Sequence, residues 1–182
     1  NPNLQMLFVS ITLFCSVDAG LLSLAALGRE KGLSVSAFFA ASAVTSLLVR
    51  FFGRFLVDRL PRVRTSWLTP AVSAILLAAC ALPAVGSDLA FGACGALYGV
   101  FIGLGYPVFL ALIADVSAPE ERSRVTSLFW FVMGLSYLAM PVVTGYLAAL
   151  LFYRGAFFVL NLALVPLLAF VGLNWEKSSG KE

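Results

Sequence analysis

The chain has 182 residues, of which 61% are apolar and 12% charged, and its mean hydropathy is +0.99. Ordinary soluble domains carry roughly 25% charged residues, so this composition belongs to a protein dissolved in lipid. It contains no histidine, which excludes haem ligation by histidine, histidine-containing zinc sites and Ser-His or Cys-His catalysis.

A helix that crosses a bilayer needs about 20 mostly apolar residues. Six segments meet that need, at 4–28, 35–57, 66–86, 89–114, 125–151 and 156–174. The first holds Asp18 in the middle of Ser16-Val-Asp-Ala-Gly20. A lone carboxylate at that depth costs about 2.5 to 3.5 kcal/mol by insertion scales, so it is expected to face a cavity or a partner, and it is the candidate for proton coupling. The rival reading is an Asp that only ties two helices together.

The second span carries Arg50, about two turns inside its end, where a long side chain reaches back toward the membrane surface or meets an anion or a carboxylate on a neighbouring helix. The third begins near Trp67. The fourth carries Gly92, Gly95, Gly99 and Gly103 at spacings of three and four, which puts them on one face as a helix-packing stripe. Pro107, Pro141 and Pro166 fall within the last three spans, and each removes a backbone donor and is able to kink its helix. Tyr98, Tyr106, Tyr137, Tyr146 and Asn161 are the polar groups available to an otherwise apolar cavity. Cys15, Cys80 and Cys94 lie in apolar runs without CxxC spacing and read as buried thiols.

The connectors are short, so consecutive helices are expected to be antiparallel neighbours. Alternation then collects Arg50, Arg54, Arg59, Arg62, Arg64, Arg122, Arg124, Lys177 and Lys181 on one side and leaves Arg29, Lys31 and Arg154 on the other. By the positive-inside rule the richer side is cytoplasmic, and both termini lie there. Trp67 and Trp175 on that side and Tyr153 on the other are expected as interfacial anchors. Topology accounts for the net charge of +3, so nucleic acid is not expected as a partner. The fold class is an all-α membrane protein, one six-helix domain over 1–182.

The stretch from Arg50 to Arg64 resembles the loop that follows the second helix in each half of the major facilitator superfamily of secondary transporters, G-x-x-x-D-R-x-G-R-[RK]. Asp58, Arg59 and Arg62 fit, and Arg50 stands eight residues before Asp58, where one version of that pattern has Arg. Arg54 occupies the first Gly position, with Gly53 one residue early, and Pro61 replaces the second Gly. Tyr106-Pro107, Ala114-Asp115, Pro119 and Glu121-Arg122 are similar to the segment between the fourth and fifth helices of the family's second half.

The resemblance covers essentially the whole chain and leans to the C-terminal half. It implies a half-transporter of two inverted three-helix repeats in the cell membrane, moving a small solute by alternating access. It also implies that Asp58, Arg59, Arg62, Asp115 and Arg122 form a cytoplasmic charged gate. A lone half encloses no central cavity, so a second half is expected, in a longer parent chain, a homodimer copy or a separate chain. No cofactor and no enzymatic activity are expected. The scarcity of charge in the spans favours a hydrophobic or small neutral solute, and Arg50 leaves room for an anion. The alternative function is a six-helix membrane module that assembles or regulates without transporting.

Overall fold

In a computed structural model, which describes residues 2–53 and 59–179, the chain is a bundle of long apolar helices with no strand among the described residues. Helix α1 is Pro2–Gly20, a 3-10 turn spans Leu21–Ser23, and α2 is Leu24–Lys31. These form one crossing of 29 residues from Asn3 to Lys31, longer than the expected 4–28 and tightened just after Asp18. Gly32 ends it with φ 67°, a left-handed conformation that glycine adopts without a Cβ clash. The amide of Leu33 then reaches back to the carbonyl of Gly28 at 2.9 Å.

Helix α3 is Val35–Phe52, α4 is Arg62–Cys80, α5 is Asp88–Val116 and α6 is Arg122–Ser179. Where α4 was expected at 66–86, it begins four residues earlier and stops at Cys80. Pro61, which lacks an amide proton, precedes the first turn, and its carbonyl accepts from the amide of Thr65 at 2.9 Å. Ser87 caps α5 by accepting from the amide of Ala90 at 3.3 Å.

Among the described residues five helices are long and apolar enough to cross a membrane, where six were expected. The difference lies in α6, in which the expected fifth and sixth spans are continuous except at Phe152, with φ 59° and ψ 162°. Contacts on either side of that residue show the chain reversing. Arg154 meets the end of α4 at Ala81, while Glu176 accepts from Trp67 Nε1 near the start of α4 at 3.0 Å. The arm at 153–179 therefore runs antiparallel to α4.

Ridges of small residues set the tightest packing. A Cβ on Gly95 or Gly99 would fall inside the backbone of Phe38 or Ser42 on α3, and one on Gly103 would lie 3.1 Å from Ser46 Cα. Gly92 faces Ala37 more loosely, at 3.6 Å. The hydroxyl of Thr45 crosses this seam to the carbonyl of Ala96 at 2.8 Å. Phe14, Phe38, Phe91, Phe109, Phe129 and Phe157 fill the core behind it. Trp175, expected at the interface, is 1% exposed and belongs to that core. Its indole is large enough to bridge two helices, and apolar burial outweighs interfacial placement there.

The two ends of the bundle are fastened differently. At one end, Lys31 Nζ donates to the carbonyls of Cys80, Leu82 and Val85 at 2.7, 2.8 and 2.6 Å. Arg154 Nε adds a bond to the carbonyl of Ala81 at 2.6 Å, and the amide of Ser34 donates to Asp88 Oδ1 at 2.7 Å. Two cations thus meet carbonyls at and just beyond the C-terminus of α4, where the helix dipole is negative. At the other end, Arg62 pairs with Asp115.

Candidate functional site

Asp18 is 5% exposed, and three tyrosines from two other helices donate to it. Tyr98 of α5 lies 2.8 Å from Oδ1, while Tyr106 of α5 and Tyr137 of α6 each lie 2.5 Å from Oδ2. Tyr98 and Tyr106 are eight residues apart on α5, a little over two turns, so both reach the same side. The Tyr106 hydroxyl also lies 3.3 Å from the sulfur of Met133, but its single proton serves the carboxylate, the stronger acceptor. Three charge-assisted bonds offset much of the penalty of removing a carboxylate from water.

The prolines bear on this cluster. Pro141 carries no amide proton for the carbonyl of Tyr137, four residues earlier, and Pro107 carries none for Gly103. Both helices are thereby left more deformable next to tyrosines that hold Asp18. The 3-10 turn at Leu21–Ser23 does the same for α1, since mid-helix tightening of this kind marks places where a helix adjusts.

Arg50 lies over the same group from the other side. Its Cζ is 5.2 Å from the centroid of the Tyr106 ring, a cation–π contact, and Trp130 stacks beside that ring at 6.5 Å and 17°. Arg50, Tyr106, Pro107, Leu110 and Trp130 line a cleft of about 480 Å³. Tyr106 is therefore shared, with its hydroxyl on Asp18 and its face under Arg50.

Of the expected gate, Arg62 Nη1 donates to both oxygens of Asp115, at 2.8 and 2.7 Å, joining the start of α4 to the end of α5. Arg122 Nη2 donates to the carbonyl of Ala114 at 2.9 Å, one residue from that pair. Arg59 lies along a different groove, beside Phe52 and Leu104. Asp58 lies outside the described residues.

Among the other expected polar groups, Tyr146 is exposed and joins nothing in the cluster. Asn161 is buried and donates to the carbonyl of Phe157, within its own helix, at 2.8 Å. Trp130 and Met133 are the residues that sequence reasoning missed. Their signal was their position, seven and four residues before Tyr137, which places them along one side of a helix.

The arrangement is a buried carboxyl group that touches an open cationic and aromatic cleft through one shared phenol. It sits apart from an ion pair at the end of the bundle. A model of the Major Facilitator Superfamily matches residues 3–180. A search of curated proteins gives no match. With the match spanning nearly all of an all-helical, membrane-crossing chain, this protein belongs to the major facilitator superfamily, a family of secondary transporters of small solutes.

Proposed function

We propose that the chain is one half of a secondary active transporter that works by alternating access and couples solute movement to a proton at Asp18. The observation that carries this reading is the triple hydrogen bond of Tyr98, Tyr106 and Tyr137 to a carboxylate in the middle of a crossing. An ionised Asp18 accepts from all three. Once protonated it becomes a donor itself, so one of the three tyrosine hydroxyls must either turn to accept that proton or give up its bond. Proton uptake thereby loosens α1 from α5 or α6, the kind of two-state contact that a rocking bundle needs.

In this reading the Arg62–Asp115 pair, with Arg122 on the neighbouring carbonyl, is the cytoplasmic gate, and Asp58 and Arg59 complete it. A second six-helix half, from a longer parent chain, a second copy or a separate chain, closes the cavity over Arg50 and Trp130. The cell membrane is its place, with both termini in the cytoplasm. Engineered cysteines at Leu60 and Glu120 then resist an impermeant thiol reagent applied to intact cells, and labelling of both from outside would reverse the orientation.

The direct test is reconstitution in vesicles that hold a pH-sensitive dye. Addition of a transported solute drives proton entry in the native protein and none in Asp18→Asn. Solute uptake with no proton movement would remove coupling, and no uptake of any solute by an assembled pair of halves would leave a non-transporting module.

A further inference from the structure

We infer that the cleft beside Asp18 takes a small organic monoanion, a carboxylate joined to a flat apolar body, with Arg50 holding the charge and Trp130 the body. The inference rests on the transport reading for its meaning, and on the geometry of the cleft for its content.

Arg50 is the cation of the cleft, and it is exposed there. Among the described residues it makes no hydrogen bond and no ion pair, and its one specific contact is the face of Tyr106. A guanidinium has five N–H donors in a planar fork that matches two carboxylate oxygens. A ring face occupies none of them. Arg62 shows the contrast, since it meets both oxygens of Asp115 through Nη1. In a cavity closed by a second half, an unpaired guanidinium would be poorly solvated, so the closed state favours an anion as partner.

The remaining walls set the body of the ligand. Trp130 is 48% exposed and its ring is nearly parallel to that of Tyr106, and Leu110 and Pro107 extend the apolar surface. Such a wall supports a flat ring by stacking and offers little to a polyhydroxylated molecule. Among the described residues no carboxylate lines the cleft, so an ammonium ligand finds no counter-charge from them there.

The shared phenol links the two charges. An anion on Arg50 draws the guanidinium away from the Tyr106 ring, whose hydroxyl holds Oδ2 of Asp18. An anion that travels with the proton on Asp18 adds no net charge to the crossing, which removes the membrane potential from the cost of the step.

Anionic lipid headgroups share this chemistry, so the experiment separates the two sources. Equilibrium dialysis of the purified, assembled protein in neutral detergent measures binding of radiolabelled benzoate and phenylacetate, with benzamide and benzylamine as uncharged and cationic competitors. At least one carboxylate binds, neither competitor displaces it, and Arg50→Gln weakens binding by roughly tenfold or more, the loss expected for a charge-assisted contact. Trp130→Ala weakens it as well.

Displacement by benzamide equal to that by unlabelled benzoate would overturn the assignment without any variant, as would unchanged affinity in a folded Arg50→Gln protein. So would failure of both carboxylates to bind. Repeating the measurement in nanodiscs gives equal binding in phosphatidylcholine and phosphatidylglycerol. Loss of binding in phosphatidylglycerol alone gives Arg50 to a lipid phosphate and also overturns it. These measurements use no gradient, so Arg50-dependent binding in a protein that moves no solute removes the transport reading and leaves the anion site standing.

Discussion

Tyr98 donates to Oδ1 of Asp18 across 80 residues of sequence, and among the described residues it is the partner of that oxygen, whereas Oδ2 has two. The carboxylate is therefore held unevenly. Tyr98→Phe leaves a buried oxygen unsatisfied and is expected to destabilise the protein by about 1.5 to 3 kcal/mol. Tyr137→Phe leaves Tyr106 in place and is expected to cost less. Thermal unfolding of both variants in the same lipid nanodisc checks the order.

The glycines of α5 give a sharper comparison. Gly99→Ala pushes a methyl into Ser42 and Thr45 of α3 and is expected to cost about 1 to 3 kcal/mol by overpacking. Gly134 of α6 has nothing within 4 Å of the same added carbon, so Gly134→Ala is expected to stabilise by about 0.5 to 1 kcal/mol through helix propensity. Opposite signs in one unfolding assay confirm the seam.

Phe152 holds φ 59° and ψ 162°, a conformation close to one reserved for glycine, and its side chain is 80% exposed. Backbone strain there is of order 1 to 3 kcal/mol. Phe152→Gly removes it without opening the core, so a higher unfolding temperature is expected. A lower one would mean that the ring anchors the turn in the membrane.

Arg62 and Asp115 have side chains 31% and 48% exposed, so their pairing is expected to contribute less than about 1 kcal/mol to stability. Asp115→Asn then leaves unfolding nearly unchanged while altering the transport rate. A large loss of stability with a native rate would make the pair a brace and not a gate.

Lys31→Met strips donors from the carbonyls of Cys80, Leu82 and Val85. Water replaces part of this contact, so a loss of about 1 kcal/mol is expected. Hydrogen exchange restricted to residues 80–88 locates it.

The spans and the glycine face were legible because hydropathy and spacing act along one helix at a time, whereas the grouping of Arg62 with Asp115 was implied by the family resemblance. Asp18 stood out for the same reason, as a charge in a run of apolar residues. The convergence of Tyr98, Tyr106 and Tyr137 was not legible, since it depends on how three helices are rotated against one another, which hydropathy leaves open. The reversal at Phe152 falls in the gap between the expected spans 125–151 and 156–174, and what stayed hidden was that one residue makes it while Gly155, the nearest turn signal, lies inside helix. Trp175 misled because an indole suits an interface and a core equally well.

The unlike fastenings of the two ends leave evolution with unequal handles. Lys31 and Arg154 grip main-chain oxygens, acceptors that no codon change can delete and no ordinary acidity can neutralise. Asp115 is a side chain, which a single substitution removes. Substitution of an acceptor thus reaches the Arg62–Asp115 pair directly, whereas at the other end it reaches Asp88 and Glu30 but not the main-chain carbonyls that hold Lys31 and Arg154.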